Sequence, residues 1–424
     1  MEKYISLLGL AVIIGLAWLM SSHKKRFPWR VVIGGLILQF LFALVILLTP
    51  PGQWAFSWVN TIFVSLLGSV DAGSEFVFGT DFREHFFAFK VLPTIIFFSA
   101  LMSVFYYYGV IQKVVGVFAL VMQKTLGTSG AETLSAAANV FVGQTEAPLV
   151  IRPYISSMTI SELNAVMVCG FATMAGGVLG ALSEMGIEAG HLLSASVISA
   201  PGALLLSKVM QPEIDEPKTL GNVQVDVEEK STNVLEAVAV GTTGGMKLAL
   251  NVGAMLIVFL ALIAMINMIV GWIGMQFNYV DADGNPLWSL EAALSYLFYP
   301  IAWLIGIERA DCMAAGQLMG LKMATNEFVA YGRLMSWDSP DSAIHISERS
   351  RILLTYALCG FANFSSIGIQ LGGIGGIAPN RQGDLARLGL RAMLGGTMAA
   401  FMTACIASLL LDTPAAAVVD PLTQ

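Results

Sequence analysis

Two carboxylates stand inside stretches of this chain that are otherwise apolar: Glu146 in Gly143-Gln144-Thr145-Glu146-Ala147-Pro148, and Glu327 in Ala324-Thr325-Asn326-Glu327-Phe328. An acidic side chain at membrane depth costs about 2.5–3.5 kcal/mol or more unless it faces a protein interior or water, so each marks a functional site by default. Gln144, Thr145 and Glu146 offer donors and acceptors to a ligand edge with several hydrogen-bonding atoms. Glu327, Asn363 and Ser366 suit a diol, because an ionised carboxylate accepts two hydroxyl hydrogens at once. Phe361 would pack on a flat ring or a sugar face, or serve as core. Asn139 and Val142, ahead of the first motif, could give carbonyl oxygens to a small hard cation. Thr173 and Met174, where the next span meets Gly176-Gly177, could expose more; oxygen ligands at helix ends suit Na+.

Other chemistries fit less well. An intramembrane enzyme using Glu146 and Glu327 as an acid/base pair lacks a nucleophile–base arrangement, since His23, His85, His191 and His345 all fall at loop borders outside both motifs. No catalytic residue is assigned. A passive channel is a third option, against which the closed hairpin tips described next argue. Cys169, Cys312, Cys359 and Cys405 lie in apolar segments without metal-ligand spacing and read as buried thiols.

The elements that must position these residues follow from composition. The 424 residues are 56% hydrophobic and only 12% charged, roughly half the charge of a soluble protein, which makes this a polytopic membrane protein. A net charge of −7 and no long basic tract exclude a nucleic-acid footprint. Tyr4–Met20 is a retained first span, and Lys24, Lys25, Arg26 and Arg30 put its far end in the cytoplasm, leaving the N-terminus outside. Val31–Leu48 returns outward. Gln53–Val70, with Trp54 and Trp58, suits a helix on the outer interface, followed by a polar loop from Asp71 to Glu84. Phe87–Tyr108 crosses inward, and Val110–Leu126 rests on the cytoplasmic face.

Between Ala131 and Met158 two short arms flank the first motif. The first, Ala131–Val142, would be about 18 Å long as a helix, too short for a hydrocarbon core about 30 Å thick. A re-entrant hairpin turning back near the midplane satisfies both facts, provided protein or water surrounds its broken backbone. Ser161 would cap the next span, His191–Met210 crosses back, and Lys247–Phe277 leaves after a polar connection. Asp281–Pro286 reads as an exposed turn and Leu290–Ile307 as an outer interfacial helix. A second pair of short arms meets at Thr325-Asn326-Glu327. Spans from Ile352 to Gly372 and from Leu388 to Leu411 place the C-terminus outside. Cys169-Gly170-Phe171-Ala172 and Cys359-Gly360-Phe361-Ala362 recur, each in the span directly after a hairpin. The two units start from opposite sides, the pattern of inverted repeats whose interface binds substrate near the midplane in secondary transporters.

At these residues the sequence resembles the concentrative nucleoside transporter family, of the bacterial eight-span type. The resemblance runs from about Thr128 to the end of the last span, through Gly143–Pro148, through Asn326-Glu327-Phe328-Val329-Ala330-Tyr331, and through Cys359-Gly360-Phe361-Ala362-Asn363-Phe364. It implies an all-α integral membrane protein of eight transmembrane helices and two re-entrant hairpins, an inverted repeat with scaffold and elevator-type transport domains, assembled as a homotrimer in the bilayer of the inner membrane. Residues 1–109 and 211–289 would form the scaffold, with residues 110–210 and 290–424 as the two transport repeats. The function implied is Na+-driven import of nucleosides such as uridine, with protons as the alternative coupling ion. Gln144, Thr145 and Glu146 would contact the nucleobase, Glu327, Asn363 and Ser366 the ribose, and Phe361 and Val178 would line the pocket. The family's sodium site maps to Asn139, Val142, Thr173 and Met174.

Overall fold

In a computed structural model of the chain, residues 2–219, 231–280, 286–339, 342 and 344–411 are described. Uninterrupted apolar runs give α1 (Glu2–Leu19) and α2 (Trp29–Leu48), separated by the basic cluster. Thr49 then turns the chain: its hydroxyl accepts from the Gly52 amide at 3.2 Å, and the two prolines behind it start α3 (Pro50–Phe78), where their missing N–H groups leave nothing unpaired. This helix outruns the expected interfacial segment. The predicted loop at Asp71 and Glu75 is helical instead, because Asp71 finds cations in Arg83 at 3.1 Å and Lys90 at 3.7 Å. At 29 residues α3 is long enough to cross a bilayer, and it is the least apolar of the helices that are. A π turn, Phe87–Val91, leads into α4 (Leu92–Tyr107), and α5 (Val110–Leu126) lies between the left-handed glycines Gly109 and Gly127.

The first hairpin begins with a capping box: the Ser129 side chain accepts from the Glu132 amide and Glu132 returns the bond to the Ser129 amide. Its first arm, α6 (Gly130–Ala138), has 9 residues. The return arm is a 3-10 turn, Ala147–Ile151, and α7 (Arg152–Ile155). A second capping box, Thr159 with Glu162, opens α8 (Ile160–Ala172), so Thr159 and not Ser161 is the N-cap. The Ser161 hydroxyl instead donates to the Gln211 carbonyl and accepts from Lys208. The chain unwinds at 173–175, resumes as α9 (Gly176–Glu184), and returns as α10 (Ala189–Met210). His191, expected at a solvated border, sits in the first turn of α10 with Nδ1 3.1 Å from the Tyr356 hydroxyl.

The 43-residue α11 (Val234–Gln276) starts well before the expected Lys247. Its glycines explain why: they let α4 lie against it, a Cβ at Gly245 falling 2.7 Å from Ile96 Cα. The predicted turn over 281–285 lies outside the described residues. The second repeat then runs α12 (Leu290–Ile305), hairpin arms α13 (Cys312–Ala324) and α14 (Glu327–Ser336), a broken span α15 (Glu348–Leu358) and α16 (Phe364–Ile377), and α17 (Gln382–Leu410). This order matches the first: surface helix, hairpin, broken span, unbroken span.

Burial ranks the layers. In their apolar windows 94% of α8–α9 and of α10, and 78% of the stretch that includes α17, is buried, against 6% of α11, so the spans of the first repeat and α17 of the second form the centre and α11 the rim. Lys208 fastens the foot of the first hairpin, reaching Glu132 at 2.6 Å and Glu213 at 3.2 Å. In the second repeat Asp311 accepts from both the amide and hydroxyl of Ser347, which caps α15.

Candidate functional site

The two unwound joints cross at their repeated tetrapeptides. Gly360 takes a left-handed φ of +105°, and a Cβ there would lie 2.7 Å from the Phe171 carbonyl oxygen, so only glycine lets the α15–α16 joint press on the end of α8. Gly170, its counterpart, lies beneath two amides: a Cβ there would meet Gln370 Nε2 at 2.8 Å and Gln144 Cβ at 3.1 Å.

Hairpin one presents the first motif to α16. Gln370 Nε2 donates to Gln144 Oε1 at 3.0 Å and to the Met167 carbonyl at 3.1 Å. Thr145 rests on Gly373, whose Cβ would come 2.6 Å from its methyl. Glu146 folds back over Gly143, and its side chain is exposed on the chain surface. The burial cost expected for both acids therefore falls on Glu327, which is only 4% exposed in the first turn of α14.

Glu327 is met by Asn363, whose Nδ2 donates to its Oε2 at 3.1 Å. Asn363 is also the N-cap of α16: Oδ1 accepts from the Ser366 amide at 2.9 Å and the Ser365 hydroxyl at 2.7 Å. One side chain thus sets the start of a helix and orients a buried carboxylate. Ser366, Gln370 and Gly373 follow at helical spacing on one face of α16, spread over about 10 Å. Among the described residues no side-chain hydrogen bond joins Glu146 to the Glu327 group; α16 is the element that bridges the two tips. Val178 is buried in the first turn of α9 and Phe361 is buried in the α15–α16 joint, and neither has a polar link to the carboxylates.

The two segments that carry the proposed cation ligands meet. The Phe141 carbonyl accepts from the Gly176 amide at 3.1 Å, which holds the end of the first arm against the α8–α9 joint. Asn139 is buried; its Nδ2 donates to the Ser135 carbonyl at 3.0 Å, and among the described residues its Oδ1 has no hydrogen-bond partner. A buried acceptor left alone costs about 1–3 kcal/mol, a loss that a bound cation removes. Thr173 is extended, its hydroxyl donating to Cys169 O at 2.9 Å and leaving oxygen lone pairs free, while the Met174 amide donates to Ser196. An all-oxygen donor set at two helix ends fits Na+.

Gln370 and Ser196 were not anticipated from the sequence. The available signal for Gln370 was a lone amide four residues after Ser366 in an otherwise apolar run.

Residues 191–408 match the family model of the Na+ dependent nucleoside transporter C-terminus, residues 8–81 that of its N-terminus, and residues 88–188 a nucleoside recognition model. An uncharacterized transporter of Haemophilus influenzae is 46% identical over 97% of this chain and 99% of its own length. The chain belongs to the Na+-dependent nucleoside transporter family. Within this family it is 45% identical to solute carrier family 28 member 3 of Eptatretus stoutii and 43% identical to sodium/nucleoside cotransporter 1 of Rattus norvegicus, each over 96% of the chain. It spans about six tenths of the length of these animal relatives, 61% and 64%. The solved structure of the transporter CNTnw in an inward-facing, substrate-bound state superposes with a TM-score of 0.88 at 41% identity, covering 96% of this chain and 98% of that one. A substituted variant of it in an outward-facing state gives 0.89 at 42% identity, covering 96% and 97%. The family is one of membrane transporters and not of enzymes, and Na+ is its coupling ion.

Proposed function

We propose that this chain imports nucleosides such as uridine across the cytoplasmic membrane, driven by inward Na+ movement, through elevator-type alternating access. The observation that carries the reading is the pairing of an unpartnered buried oxygen, Asn139 Oδ1, at one hairpin tip with a buried, oriented carboxylate, Glu327, beside the other. The first calls for a cation and the second for hydroxyl donors. Relatives named as sodium/nucleoside cotransporters support the same pair of ligands.

In this account Asn139, Val142, Thr173 and Met174 hold Na+, which orders the first tip. Gln144, Thr145 and Glu146 meet the base, Glu327, Asn363 and Ser366 the ribose, and Val178 and Phe361 the apolar faces of the ligand. Residues 110–210 and 290–424 move as transport repeats against a scaffold of residues 1–109 and 211–289. The exposed length of α11 suits contact with lipid and with two further copies in a homotrimer. Eight crossings, with α3, α5 and α12 at the interfaces, leave both termini outside.

Calorimetric titration of uridine into the purified chain tests the reading. Binding in NaCl that weakens at least about tenfold in choline chloride, a difference of roughly 1.4 kcal/mol, is the expected result. Equal binding in both salts removes Na+ from the site, and no binding of any nucleoside removes the function.

A further inference from the structure

We propose that Lys322 is a positioning residue for the sugar end of the site: its buried ammonium partly compensates Glu327 at a distance, favouring the ionised form of that carboxylate while leaving lone pairs for ligand hydroxyls. The proposal rests on the nucleoside reading above and adds to it a residue outside both tip motifs.

Lys322 occupies the last turn of α13, across the hairpin tip from Glu327, and is 1% exposed. Among the described residues its Nζ has no hydrogen-bond partner and no ion pair, and the ionisable groups it neighbours are Glu327 and Cys359. The other buried lysine shows what a structural cation looks like here. Lys208 is 4% exposed, and its Nζ binds Glu132, Glu213 and the Ser161 hydroxyl, stapling three segments together. Among the described residues Lys322 staples nothing.

Charge accounting explains its presence. A lone carboxylate buried in a hairpin tip is strongly disfavoured and escapes by taking up a proton. A protonated Glu327 would keep a donor but lose the acceptor strength that a diol needs. A contact ion pair would also hold the charge, yet it would occupy the oxygens that must meet the ligand. An ammonium in the same dry pocket, out of bonding contact, supplies the charge without the obstruction. Asn363 takes one lone pair of Oε2 and the Glu327 amide makes a further contact with the carboxylate, and among the described residues no other side chain hydrogen-bonds to it. A role confined to the α13 C-terminus, where any cation is mildly favourable, would not touch ligand selectivity.

The test uses the full-length purified chain in saturating Na+, titrated with uridine and with 2′,3′-dideoxyuridine. In Lys322→Met the affinity for uridine should fall at least about tenfold while that for the dideoxy compound changes by less than about threefold. Lys322→Arg should restore most of the uridine affinity. Placed on Glu327→Gln, the Lys322→Met change should add less than about threefold, because residues acting through one another are not additive. Equal losses for both nucleosides, unchanged discrimination, or an undiminished loss on the Glu327→Gln background would overturn the proposal. If Lys322→Met alone does not fold, folding of the double variant supports the pairing, since it removes the stranded charge, and its failure refutes it. A wild type that fails to distinguish the two nucleosides refutes the ribose role of Glu327 itself, a separate result.

Discussion

Replacing Asn363 by serine separates its two jobs. Serine caps a helix about as well as asparagine, so the bond to the Ser366 amide has a substitute and α16 should keep its start. The 3.1 Å bond from Nδ2 to Glu327 has none. A hydrogen bond to a charged group contributes about 1.5–3 kcal/mol, which converts to a loss of about 10- to 150-fold in affinity if the oriented carboxylate is what holds the ribose. Stability should change far less, by at most about 1 kcal/mol. Titration of uridine and 2′,3′-dideoxyuridine, alongside thermal unfolding, reads both quantities. Uridine should lose most of its advantage over the dideoxy compound at a nearly unchanged Tm. Uridine binding within about twofold of wild type, less than 0.5 kcal/mol, would refute the role given to this bond. So would a fall in both ligands matched by a lower Tm.

Three further outcomes follow from the geometry. Asn139→Leu should weaken Na+ binding at least about tenfold, and by linkage weaken nucleoside binding only in subsaturating Na+; unaltered Na+ dependence of uridine binding would contradict it. Gln370→Leu leaves Gln144 Oε1 without its donor, and should weaken uridine by about 1–2 kcal/mol while sparing Na+ affinity, as read by paired titrations. Gly360→Ala forces a Cβ against the Phe171 carbonyl in a left-handed backbone and should cost about 1–3 kcal/mol, seen as a lower unfolding temperature; an unchanged Tm would mean the joint is slack.

Much of this architecture was legible because membrane physics restricts the alternatives. Arms too short to cross announced the hairpins, and Gly176-Gly177 announced the first unwound joint, but not the second: the expected single span from Ile352 to Gly372 breaks between Leu358 and Phe364, where Gly360 lies against the opposite repeat. What escaped the sequence depends on partners distant in the chain. Asp71 and Glu75 read as loop residues in the sequence, and it is Arg83 and Lys90 beside Asp71 that let the helix run through them. The span expected from Lys247 begins at Val234, and Gly241 and Gly245 in its added turns are where α4 packs. The N-cap of α8 is Thr159 and not Ser161, and Thr159-x-x-Glu162 carries the capping-box signature in the sequence. Glu146 and Glu327 looked alike as sequence, but one is exposed and one buried, a difference fixed by the fold around each tip. Gln370 and Lys322 are single polar residues in apolar helices, and no periodicity marks such a residue as part of a site.

The central claim is coupling, and uptake of radiolabelled uridine into proteoliposomes measures it. An inward Na+ gradient should drive accumulation above equilibrium, collapse of that gradient should abolish it, and a proton gradient alone should not replace it. Accumulation driven equally well by protons without Na+, or uptake that never exceeds equilibrium under any gradient, would contradict the account.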